Sequence, residues 1–167
     1  MRQTPQQNLG GFFYINLFIN IMSNINLTDI LLELKEPEVS DIMSKIRSCL
    51  DPELLEPKYR KQNEKNPMFG HCYVASEALY HLLKSKKLKG TFEPYHALDM
   101  NGIVHHWLQN DTGKILDVTK SQYTKKSKRP PYKYKEGTHR AFIGGGSKPS
   151  KRAKDVIKCV RGKLRNN

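Results

Sequence analysis

The chain has little material for a disulfide framework or a cysteine-rich metal site. Its 167 residues hold three cysteines, Cys49, Cys72 and Cys159, an odd number at wide and irregular spacing. No CxxC pair and no HExxH stretch is present, so neither a zinc ribbon nor a zincin pattern is available. Without a pairing pattern, a reducing, cytoplasmic setting is the expectation. Long hydrophobic runs are missing too. The apolar stretch Phe12 to Met22 is eleven residues long, short of the roughly 20 a helix needs to cross a bilayer. Two Asn interrupt it, one Arg precedes it and no small-x-small cleavage site follows, so it fits neither a membrane span nor a signal peptide. The sequence restarts at Met22-Ser23-Asn24, and residues 1–21 are expected to be a non-native or disordered leader.

Acidic residues are scarce in one part of the chain only. From Lys120 to Asn167, 16 Lys and Arg face two acids, Glu136 and Asp155, a net +14. Residues 1–119 carry 13 basic and 14 acidic side chains, so the whole excess of +13 lies in the last third. A segment of that charge density calls for an anionic partner, such as nucleic acid, or serves as a solvated tail. The expected organisation is therefore the leader 1–21, an α+β domain 22–123 and a basic tail 124–167, partly disordered with a C-terminal helix.

What the middle contains is patterned. Thr28 or Asp29 can cap a short helix, Ile30 to Lys35, which Glu36-Pro37 ends. Ser40-Asp41 can cap a second, with Ile42, Met43, Ile46, Cys49 and Leu50 on its apolar face, making Cys49 a core residue. Residues 51–69 read as a loop. From Cys72 the positions 72, 75, 76, 79, 82 and 83 follow helical spacing, and Lys84, Lys86 and Lys87 suit a helix C-terminus. Cys72 thus lies in the first turn of an amphipathic helix. After Gly90 the period changes to two: strands at Thr91–Asp99, Ile103–Asn110 and Lys114–Val118, joined by a type I′ turn at Asn101-Gly102 and a three-residue turn at Asp111–Gly113. Lys151 to Leu164 can form a basic helix with Ala153, Val156, Ile157, Val160 and Leu164 on one face. The class this implies is α+β, a nucleophile-bearing helix packed on a small antiparallel sheet.

A cysteine at a helix start has free N–H groups and a favourable dipole to stabilise its thiolate, and a nearby His to take its proton would complete a nucleophile. In the second strand His105 and Trp107 share a face and His106 points the other way. A three-residue loop at 111–113 pairs Asn110 with Lys114, so Asp117 faces Trp107 and His105 lies diagonally across, about 7–8 Å away. A two-residue loop would instead set His106 opposite Asp117. Gly113 favours the longer loop and therefore His105.

Gly70-His71-Cys72 opening a helix, then His105-His106-Trp107, then Leu116-Asp117-Val118-Thr119, resembles the transglutaminase-like branch of the papain-like superfamily over Gly70 to Thr119. The resemblance implies a papain-like core and a Cys72–His105–Asp117 triad. Gly70, His71, His106 and Trp107 flank the triad in sequence, and His96 can enter from the first strand, where Phe92, Pro94, His96 and Leu98 share a face, so these five are the expected substrate pocket. The resemblance also implies attack on an amide, ester or isopeptide carbonyl of a peptide or protein, with no cofactor and no metal. Cys72, His96, His105 and Asp117 could in principle ligate zinc, the minor alternative. The other reading is a non-specific nucleic-acid-binding module, in which Tyr123, Tyr132 and Tyr134 interleave with Lys and Arg for stacking and phosphate contact.

Overall fold

The computed structural model describes residues 36–85, 92–123, 130–132, 138–139, 142 and 148–165. The expected leader, the Ile30–Lys35 helix and Tyr134 lie outside the described residues. Among the described residues the fold is α+β, four helices with a small antiparallel sheet.

Helix α1 runs Glu36–Arg47, four residues earlier than Ser40 would set it. Pro37, read as a stop, sits in the first turn, where its fixed φ suits a helix and its missing N–H costs nothing. Val39, Ile42 and Ile46 form its buried stripe. The stretch read as one loop holds a 3₁₀ turn, Pro52–Leu54, and helix α2, Pro57–Asn63. Each starts with a proline in its first turn, and the Asp51 carboxylate accepts from the Glu53 N–H at 2.8 Å to cap the 3₁₀ turn. The sequence PKYRKQN has no apolar stripe, so periodicity could not reveal α2.

Helix α3, Cys72–Ser85, is the centre of the fold. Val74, Ala75, Ala78, Leu79, Leu82 and Leu83 are all buried. A helix apolar on most of its surface belongs inside, and α3 packs on the sheet and on the C-terminal helix alike.

Strands β1 (Glu93–Leu98), β2 (Val104–Gln109), β3 (Ile115–Leu116) and β4 (Thr138–His139) form a sheet of order β3-β2-β1-β4. The β2–β3 register follows the three-residue loop: Leu108 pairs with Leu116, Gln109 with Ile115, and the Asn110 N–H donates to the Lys114 carbonyl at 3.1 Å. Gly113 supplies the left-handed residue at φ +85°. The first hairpin departs from the type I′ expectation. Leu98 pairs with Val104, and the Asp99 N–H donates to the Ile103 carbonyl. The loop is therefore Met100–Gly102, one residue longer. The Asp99 carboxylate accepts from the Asn101 and Ile103 N–H groups and tips the balance toward that form.

Helix α4, Lys151–Arg165, buries Ala153, Val156, Ile157 and Val160 and packs on α3. Leu164, expected on the same stripe, is half-buried. The Ser150 hydroxyl accepts from the Ala153 N–H as the cap of α4. Fully buried Glu77 of α3 accepts from both the N–H and the hydroxyl of Ser150, at 2.8 and 2.7 Å. The end of the basic segment thus belongs to the core around α3.

One expectation is overturned. Cys49, just past α1, is disulfide-bonded to Cys159 of α4 across a sequence separation of 110. The fold joins two helix faces that no local spacing connects. The cytoplasmic expectation rested on unpaired cysteines and loses that support. Among the described residues no helix is long and apolar enough to cross a membrane.

Candidate active site

Asn63, at the end of α2, donates to the Pro67 and Phe69 carbonyls at 3.0 and 2.9 Å, folding the turn that leads to Gly70. α3 then begins at Cys72, and the Ala75 N–H bonds the His71 carbonyl. The first N–H groups of such a helix, Cys72's among them, have no acceptor within it. Cys72 is the free cysteine, its thiol donating to the Val104 carbonyl of β2 at 3.7 Å.

His105 projects from β2, side chain 1% exposed. Its Nε2 lies 2.8 Å from Asp117 Oδ2. Asp117 lies immediately after β3 and is held from two sides. Its Oδ1 accepts from the Thr119 N–H at 2.8 Å and hydroxyl at 3.1 Å, and its Oδ2 also accepts from the Tyr132 hydroxyl. Gln122, in the 3₁₀ turn Lys120–Gln122, sets its Nε2 3.0 Å from His105 Nδ1. Asn66 holds that turn through the Gln122 carbonyl at 2.8 Å. Tyr123 packs edge-on against the His105 ring.

Burial opposes a charged His105, but the Asp117 hydrogen bond and the Cys72 thiol outweigh it and raise its pKa to about 9. Burial also opposes a charged Asp117, yet His105, Tyr132 and the Thr119 N–H hold it below the ordinary carboxylate value. Burial, followed by the nearby Asp117 charge, pushes the Tyr132 hydroxyl up, so it remains a donor. The arrangement is a buried carboxylate fixing an imidazole whose other nitrogen faces Gln122.

A cleft of about 270 Å³ opens over Cys72 and His105. Of the five residues expected around the substrate, Gly70 and His106 line it. The other three need correction. His71 is fully buried beneath the helix start, with neither ring nitrogen hydrogen-bonded, and burial lowers its pKa to about 4. Trp107 is core: it stacks behind His105 and donates to Gln109 Oε1 at 2.9 Å. His96 is turned to His106, its cross-strand partner, ring centroids 5.7 Å apart. Among the described residues no group of three or more His, Cys, Asp and Glu is placed for a metal.

Tyr132, Gln122, Thr119 and Asn66 went unnoticed as site residues. Thr119, two after Asp117, carried the one local signal, since Asp and Thr at that spacing form a side-chain turn. Tyr123 and Tyr132, read as stacking groups, face the triad. Comparison with protein-family models, curated proteins and solved structures yields no match.

Proposed function

We propose that this protein is a cysteine hydrolase or acyltransferase of the transglutaminase-like kind, acting on an amide, ester or isopeptide carbonyl of a peptide or protein. The observation that carries this reading is the buried His105–Asp117 pair, whose His105 shares one cleft with Cys72 at a helix start.

Cys72 reacts as the thiolate, paired with the imidazolium of His105: its sulfur bonds the carbonyl carbon, the C=O electron pair moves to the oxygen, and the Cys72 N–H receives that oxyanion. His105 delivers its proton to the leaving nitrogen or oxygen as that bond breaks, leaving a thioester. Asp117 keeps the imidazole oriented and stabilises its charge. Water gives up a proton to the neutral His105 and attacks the thioester, releasing the acid and restoring Cys72 as thiolate beside the imidazolium; an amine in place of water gives a new amide.

The disulfide makes the test direct, because Cys72 alone can be alkylated in unreduced protein. Iodoacetamide at pH 6 is expected to label Cys72 at least tenfold faster than glutathione. A p-nitrophenyl ester is expected to leave an acyl mass on the wild type and none on Cys72→Ala. Labelling at the glutathione rate with no acyl adduct would sink the reading.

A further inference from the structure

We propose that the cleft between α3 and α4 binds the phosphate backbone of a single-stranded nucleic acid, independently of the triad. The cleft measures about 670 Å³ and takes Lys84 from α3 and Lys154, Lys158, Arg161 and Arg165 from α4. No acid lines it. Among the described residues none of these five cations is in an ion pair.

This arrangement is unfavourable for folding taken alone. Lys154 with Lys158, and Arg161 with Arg165, are like charges four apart on one helix, a spacing that destabilises it. A bound polyanion converts that repulsion into attraction. The row from Lys154 to Arg165 runs about 16 Å along α4 at roughly 1.5 Å per residue. That length matches about five phosphates of a strand rising about 3.4 Å per nucleotide. Lys84 closes the facing wall. His81 lies in the same cleft, its Nε2 buried and without a hydrogen-bond partner. Burial depresses its pKa, so at neutral pH it offers a neutral ring rather than a sixth charge.

A lipid surface fits less well. The exposed large apolar side chains, Leu98, Met100, Ile103 and Val104, belong to the β1–β2 hairpin. Ile103 and Val104 line the Cys72 cleft. Cys72 and Lys84 stand at opposite ends of α3, about 18 Å apart along its axis. Among the described residues, therefore, the basic cleft has no exposed large apolar side chain of the kind that interfacial binding uses.

The test is fluorescence anisotropy with a mixed-sequence 20-nucleotide single-stranded DNA between 50 and 200 mM salt. Five phosphate contacts predict a slope of about −3.5 in log K against log salt, roughly a hundredfold loss over that range. Lys154→Ala/Lys158→Ala/Arg161→Ala is expected to bring the slope to about −1.4. An equal-charge control, Lys58→Ala/Lys61→Ala/Lys65→Ala on and just after α2, is expected to keep it near the wild-type value. Circular dichroism of both triples establishes that α4 is folded, and Arg161→Lys is expected to retain binding. Equal loss in the two triples, no DNA binding at 50 mM salt, or tighter binding to phosphatidylserine vesicles or a polyglutamate peptide would each overturn the proposal.

Discussion

Asp117 accepts four hydrogen bonds from three residues, and this number decides its chemistry. A buried carboxylate with one partner would gain from taking a proton; one held by His105, Thr119 and Tyr132 stays ionised. Its charge then keeps His105 protonated well above the ordinary histidine range, to about 9. The sign of the pH dependence follows. The imidazolium is the proton donor, so it is full below about 6.5 and lost as pH rises through 9. The ring of His105 is expected to titrate near 9 by NMR, and the alkaline limb of kcat/KM should fall at the same pH. A midpoint near 6.5 would remove the electrostatic role assigned to Asp117. Tyr132→Phe tests the carboxylate itself. It removes a donor to a buried charge, so unfolding free energy in urea should drop by about 1.5–3 kcal/mol. Because His105 then has Oδ2 to itself, its NMR midpoint should move up, not down.

At the scale of elements, the site depends on turns that present α3 and β3. Gly70 precedes the nucleophile by two residues at φ +83°, and a Cβ there would lie 3.2 Å from Leu55 Cδ2. Gly113 has a similar φ, +85°, with nothing within 4 Å of an added Cβ. Both Ala substitutions carry the left-handed penalty of roughly 1–2 kcal/mol. Gly70→Ala adds crowding at the entry to α3, so it should cost more in thermal unfolding and also slow Cys72 alkylation. Gly113→Ala should leave the alkylation rate unchanged. Equal effects on both measurements would mean the Gly70 turn does not position Cys72. Those turns also explain what was legible in the sequence. The Asp111–Gly113 loop is local chemistry, and it set the register that brings Asp117 to His105. Pro57-Lys58-Tyr59 opens a helix without an apolar stripe and was invisible to periodicity. Tyr132 reaches Asp117 from 15 residues on, through a segment whose lysines suggested only charge. His71 sits beside the nucleophile in sequence yet points into the core, because the first turn of a helix sends successive side chains in different directions.

For the whole molecule, Cys49–Cys159 is the covalent tie between distant parts of the chain. It closes a loop of 110 residues around α3, the sheet and the whole triad. Lys163 adds a hydrogen bond at 2.9 Å to the Ser48 hydroxyl beside it. A loop of about that size restricts the unfolded chain most, with a chain-entropy estimate near 4.7 kcal/mol and measured losses of about 2–5 kcal/mol when native disulfides are removed. Cys49→Ser/Cys159→Ser should therefore lower the unfolding free energy by about 2–5 kcal/mol while leaving Cys72 alkylation at its native rate, because neither cysteine touches the cleft. Thiol titration of protein oxidised in air and then unfolded should find one free thiol, rising to three after reduction. Three before reduction would mean the bond does not form. The protein keeps its fold best where disulfides persist, while the chemistry proposed for Cys72 needs a reduced thiol. Cys72, 8% exposed, lines its cleft apart from the bond that joins the chain just past α1 to the middle of α4.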